Sequence, residues 1–170
     1  MRILGIDPGY AIVGYGVLDY DNVAFKTINY GAITTGADTP FDRRLAEIYR
    51  DMCELLDMFK PDCVSIEKLY FNTNITTGID VAQARGVITL SAALRDIPIY
   101  EYTPLQVKVA VTGYGRAEKH QMQEMTKNIL RLKAVPKPDD TADALAIAIC
   151  HGHTGGSQLS RIMERERKKT

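Results

Sequence analysis

Residues 3–9, Ile3-Leu4-Gly5-Ile6-Asp7-Pro8-Gly9, decide how the rest of the chain is read. An apolar run with no polar alternation, stopped by Asp-Pro-Gly, predicts a strand buried on both faces and ended by a turn. Such a strand belongs at the centre of a sheet. Downstream, Ile12 to Leu18 and Val23 to Ile33 are rich in β-branched and aromatic residues and are joined by the polar Asp19-Tyr20-Asp21-Asn22. They predict an antiparallel meander with the first strand.

A first helix is predicted from Thr39-Pro40, a capping residue followed by proline at the first helical position. Leu45, Ile48, Met52, Leu55 and Phe59 mark its buried face, and Lys60-Pro61 ends it. Cys63-Val64-Ser65-Ile66 reads as a fourth, buried strand leading into Glu67, and residues 70–74 read as an irregular polar-aromatic loop. A second helix follows over residues 77–94, then a fifth strand over Ile97 to Tyr102. Thr103-Pro104 opens a short helix by the same capping logic, and Met122, Met125, Ile129 and Leu132 mark another. The last helix, Asp140 to His151, is apolar on every face, so it should pack on the sheet and be covered from outside as well. The order βββαβαβααα predicts one α/β domain over residues 1–155, with a five-stranded mixed sheet flanked by helices.

The 170 residues carry 21 basic and 21 acidic side chains, a formal net charge of zero. The balance is uneven along the chain. Residues 156–170 form an expected flexible, basic tail, and from Ser160 onward five Lys and Arg face two Glu. The three cysteines, Cys53, Cys63 and Cys150, are widely spaced without a CxxC pair, which fits buried thiols in a reducing compartment. The apolar run before Asp7 is too short for a secretory signal or a membrane span, so a cytoplasmic protein is expected.

Four carboxylates sit at the punctuation points of this fold. Asp7 ends the first strand, Glu67 ends the fourth, and Asp140 and Asp143 lie three residues apart at the start of the last helix. If the first and fourth strands are neighbours, all four converge beyond the strand ends, where open α/β sheets bind ligands. Such a cluster repels itself unless a hard cation neutralises it, and Mg²⁺ takes oxygen ligands. Each acid also has an ordinary reading. Asp before Pro-Gly is a common turn former, and Asp139 or Asp140 can cap the last helix while Asp143 suits its dipole. Glu67 directly after a buried strand has no capping or turn role.

The segments ILGIDPG with a following GYG, SIEKLY, AQARGV, GYGRAEK and DDTADALAIAIC resemble, in order and spacing, the RuvC-type Holliday junction resolvases, over essentially the whole chain. The resemblance implies an RNase H-like fold and a homodimer that cuts two opposed strands of a four-way DNA junction in recombination and repair. It also implies a branch-migration motor as partner. The family's metal-binding acids fall on Asp7, Glu67, Asp140 and Asp143, its phosphate-associated lysines on Lys108 and Lys119, and its junction-centre aromatic on Tyr70, with Phe71 beside it. Two Mg²⁺ per site, with Mn²⁺ as substitute, would activate a water and stabilise the leaving oxygen, Asp7 being the bridging candidate. Arg85 and Arg116 join Lys108 and Lys119 as candidate phosphate contacts, and Tyr70 or Phe71 as a stacking platform. Gly78, Ala82 and Gly86 form a small-residue stripe suited to a symmetry mate or to the sheet.

Three other readings compete. One is an RNase H-like nuclease on another nucleic-acid substrate. Another is a phosphotransferase of the actin and sugar-kinase fold, which needs two lobes where this chain has room for one. The third is a non-catalytic junction-binding module.

Overall fold

The computed structural model describes residues 1–69 and 75–155; Tyr70, Phe71 and the basic tail lie outside the described residues. The strands are β1 (Arg2–Asp7), β2 (Ile12–Tyr20), β3 (Phe25–Thr34), β4 (Cys63–Glu67) and β5 (Ile99–Tyr102). The helices are α1 (Phe41–Phe59), α2 (Ile75–Ala93), α3 (Pro104–Thr112), α4 (Lys119–Ile129) and α5 (Asp139–Gly155). This is the order predicted.

One sheet holds all five strands in the order β3-β2-β1-β4-β5. β1 runs antiparallel to β2 and parallel to β4, which is itself parallel to β5. The apolar run of β1 is buried on both faces, as its lack of alternation required. Leu4 and Ile6 pack with Ile48, Met52 and Leu56 of α1 and with Ala84, Ile88 and Ala92 of α2. Ile3, on the other face, packs with Leu145, Ile147 and Ile149 of α5. Full burial of such side chains is worth roughly 1.5–3 kcal/mol each. The two layers of helices therefore clamp the strand that ends in Asp7.

The last helix lies on the sheet with α3 and α4 packed against it, and every residue from Ala144 to Cys150 is buried. Its seat depends on two glycines. A Cβ on Gly5 would stand 2.2 Å from the Ala144 carbonyl oxygen, and one on Gly14 2.0 Å from that of Asp140. Only residues without a side chain let the helix backbone lie this close to β1 and β2.

Local signals held at some helix ends and failed at others. Thr103 caps α3 as predicted, with a capping box to Gln106 and Pro104 at the first helical position. Lys60 ends α1 in the left-handed conformation at φ 46°. Thr39 does not cap α1. Its N–H donates to the Gly36 carbonyl and its own carbonyl accepts from Arg44 Nε, so it belongs to the preceding turn and Pro40 takes the cap position. Likewise α5 begins at Asp139, so Asp140 is inside the first turn rather than capping it, and Asp143 stands one turn further on.

No disulfide joins the cysteines; Cys63 and Cys150 are buried. Cys53 is only half-buried, because it faces Arg95, whose Nη1 donates to its Sγ at 3.3 Å. His151, near the end of the last helix, is buried and joined to the Tyr102 hydroxyl at 2.7 Å. Burial pushes its imidazole down to about 4, so it is neutral at ordinary pH. On α2 the sheet-facing residues are Ala84, Ile88 and Ala92, whereas Gly86 is exposed and a Cβ there would meet nothing within 4 Å. Ile79, Leu90 and Leu94 are exposed too. No described helix is long and apolar enough to cross a membrane.

Candidate active site

The parallel register pairs Ile6 with Ile66, so Asp7 and Glu67 follow at the same level on adjacent strands, both at the carboxyl ends. Gly14 is the antiparallel partner of Asp7, and it is against Gly14 that the Asp140 backbone rests. The start of α5 is thus brought beside Asp7, with the Thr141 hydroxyl donating to the Gly31 carbonyl at 3.1 Å as a further tie to the sheet. Between them opens a cleft of about 240 Å³ lined by Asp7, Glu67 and Asp143, by Lys108 of α3 and Lys119 of α4, and by the apolar Val107, Met122 and Ile147. A larger open hollow of about 610 Å³ lies at the amino end of β1, among Arg2, Asp19, Lys26, Lys60 and Asp62. It is remote from the strand ends that collect the acids.

The electrostatics of the cleft are those of uncompensated acids. Asp7 is pushed up to about 8 by desolvation, then by the charges of Asp143, Glu67 and Asp140 in that order, with Lys119 pulling the other way. Glu67 is raised by desolvation and by Asp143. Asp143 is raised mainly by desolvation, although Lys119 opposes this. Lys119 loses to desolvation but gains more from Asp143 and Asp139, which hold its ammonium above the ordinary value. Its Nζ stands 3.4 Å from Asp143 Oδ2 and 3.4 Å from Asp139 Oδ2.

Among the described residues, no three His, Cys, Asp or Glu side chains stand close enough to hold a metal ion as they are placed. The donor set nevertheless fits a hard divalent cation. It is all carboxylate oxygen, and Asp7, mostly protonated at neutral pH, gives up its proton readily only when positive charge arrives to replace it.

This titration has a measurable sign. An acid whose folded pKa lies at about 8 against an ordinary 3.8 stabilises the fold in its neutral form, fully below pH 4, and that contribution is lost as the pH rises through 8. Asp7→Asn removes the loss. In chelator, the melting temperature of the variant relative to wild type should climb from pH 5 to pH 9. A difference that stays constant across that range would mean that Asp7 ionises normally.

The other predicted site residues fall as follows. Lys108 lines the cleft, and Arg116 is exposed in the turn between α3 and α4. Arg85 pairs its guanidinium with Glu101, and its Nε donates to the Glu67 carbonyl at 3.3 Å. It ties α2 to the end of β4. Asp139 escaped the sequence reading as anything but a cap. Its adjacency to Asp140 was visible, but its pairing with Lys119 depends on how α4 meets α5.

This sheet order, with acids closing the two central parallel strands, is the architecture of the RNase H-like nucleases. Within that class, the family described as Crossover junction endodeoxyribonuclease RuvC matches residues 3–151. The chain belongs to this family. A relative of that name from Alkaliphilus metalliredigens is 57% identical over 158 residues, 93% of this chain and 96% of the relative. The solved Thermus thermophilus RuvC structure superposes with a TM-score of 0.83 at 33% identity, covering 90% of this chain and 94% of that one. The T. thermophilus protein in complex with Holliday junction substrate gives 0.82 at 30% identity, with the same coverage. Family membership sets the phosphotransferase reading aside.

Proposed function

We propose that this chain resolves four-way DNA junctions in the cytoplasm, during recombination and repair, by divalent-metal-dependent hydrolysis that nicks two opposed strands. The observation that carries this reading is the meeting of Asp7, Glu67 and Asp143 with Lys108 and Lys119 in one cleft at the strand ends. Acids to hold cations and lysines to hold phosphate are what phosphodiester hydrolysis needs side by side.

Asp7, Glu67, Asp140 and Asp143 would hold two Mg²⁺, or Mn²⁺ in their place. Ions so held supply activation of the attacking water and stabilisation of the leaving 3′-oxygen. The chain's own part is positional and electrostatic. Asp7, raised by its buried and acidic surroundings, would give up its proton to hold a cation. Lys119, charged and at the rim, donates to the non-bridging oxygens of the scissile phosphate, where negative charge grows in the transition state. Lys108 offers a second ammonium from α3, and exposed Arg116 holds phosphates further along the arm. Arg85 keeps the end of β4 in place. Tyr70 or Phe71 stacks on unpaired bases at the crossover.

Two cuts related by symmetry call for two copies of the site, and α2 offers the contact. Its face bearing Ile79, Gly86 and Leu90 is exposed, as is Leu94 just beyond its end, and Gly86 leaves room for close approach of a second helix. Leu90→Arg should shift sedimentation from twice 18.9 kDa to the single-chain mass. A wild-type chain already monomeric would remove this use of the face. The same reading places a branch-migration motor beside the resolvase on DNA.

The deciding experiment incubates the protein with Mg²⁺ and a symmetric four-way junction, a linear duplex of the same sequence, and an RNA·DNA hybrid. Paired nicks across the junction alone are expected. Faster cutting of the hybrid would favour the RNase H-like alternative, and junction binding without cutting would favour the non-catalytic module.

A further inference from the structure

We infer that Asp139 is a positioning residue for Lys119, holding its ammonium at the rim of the cleft so that it does not close on Asp143. The inference rests on the reading of Asp143 as a metal-holding acid.

Four side chains of alternating sign run along the start of α5. Lys137 Nζ is 2.7 Å from Asp139 Oδ1, Lys119 Nζ is 3.4 Å from Asp139 Oδ2, and the same Nζ is 3.4 Å from Asp143 Oδ2. Asp139 and Asp143 are four residues apart, hence on one face of the helix, and Lys119 reaches both from the first residue of α4. A tight charge-assisted bond closes to about 2.7–2.9 Å. Lys119 is therefore shared between the two acids and committed to neither.

That sharing matters because an ammonium and a divalent cation compete for the same carboxylate. Without Asp139, the acid left to Lys119 is Asp143. The ammonium would settle there, where an incoming cation must displace it. With Asp139 in place the lysine keeps an anchor outside the cleft, so Asp143 turns to the cation while Lys119 stays poised for phosphate. The neighbouring acids of α5 then have different tasks. Asp140 and Asp143 serve the cation, and Asp139 serves the lysine.

Titration calorimetry with Mg²⁺ alone, without DNA and at low ionic strength, tests this on wild type, Asp139→Asn, Asp139→Glu, Lys119→Met and the double variant Lys119→Met/Asp139→Asn. Asp139→Asn should weaken Mg²⁺ binding by about fivefold, the upper end for a half-exposed pair. Asp139→Glu should restore it, and Lys119→Met should tighten it. In the Lys119→Met background, adding Asp139→Asn should change affinity by less than about twofold, since the group it acts through is gone. An equal loss in both backgrounds would show Asp139 acting only as nearby negative charge and would overturn the inference, as would no loss in wild type. Asp7→Asn is the control for the underlying reading. If that variant binds Mg²⁺ as wild type does, the metal site lies elsewhere and both readings fall; if it loses Mg²⁺, the Asp139 result stands or falls by itself.

Discussion

Asp7→Asn should bind a four-way junction at least as tightly as wild type and cut it about a thousandfold more slowly or worse. The charges of the other three acids all act on Asp7, so it is the centre of the cluster. Asparagine cannot ionise to hold the proposed cations, and a thousandfold corresponds to about 4 kcal/mol of lost transition-state stabilisation. The fold should tolerate the change well. At neutral pH the wild-type side chain is already mostly the uncharged acid, and asparagine has nearly its size and shape. Binding should not weaken, because asparagine adds no negative charge facing the phosphates and removes the one that Asp7 could still carry. Single-turnover cleavage in Mg²⁺ and gel shifts in chelator separate the two effects. Cutting at the wild-type rate would mean that the cleft is not the active site.

Gly14→Ala should lower the melting temperature by about 5–10 °C and slow cutting by about a hundredfold, although no chemistry-bearing side chain changes. The new methyl group would stand 2.0 Å from the Asp140 carbonyl oxygen and 2.3 Å from its carbon. Both are backbone atoms of a helix whose residues Ala144 to Cys150 are all buried, so they cannot swing aside. The start of α5 must lift, and overpacking of this kind costs roughly 1–3 kcal/mol, each worth about 2–4 °C in a chain of this size. Asp140 and Asp143 would move with the helix, and a shift of about 1 Å in a catalytic group can cost a hundredfold in rate. Thermal unfolding and the junction assay measure the two losses together. Wild-type stability with wild-type cutting would show that the helix does not rest on this glycine.

How much of this was legible in the sequence depends on whether a property is local. The centre of the sheet could be read because a strand buried on both faces cannot alternate, and β1 does not. The last helix could be read because it has no polar face, and it is indeed enclosed by the sheet on one side and by α3 and α4 on the other. The meeting of Asp7 and Glu67 followed from a single inference, that β1 and β4 are neighbours, which the parallel pairing bears out. What could not be read needed knowledge of partners distant in sequence. Thr39 has the chemistry of a cap but its backbone is taken up by Gly36 and Arg44. Arg85 looks like any surface cation until Glu101 and the Glu67 carbonyl are found beside it. The shift of register between Val17 and Leu18 in the β2–β3 pairing left no mark that composition could show. Asp139 became distinct from Asp140 only when α4 delivered Lys119 to it.

The helix that completes the acid cluster, α5, is the final one in the described chain, yet it covers the centre of the sheet. A chain emerging from the ribosome would have made the residues of β1 to β5, Asp7 and Glu67 among them, well before Asp140 and Asp143 appear. Until then one face of the sheet has no cover and the site has half its acids. The cluster can therefore be complete only after α5 has been made and has docked on the sheet.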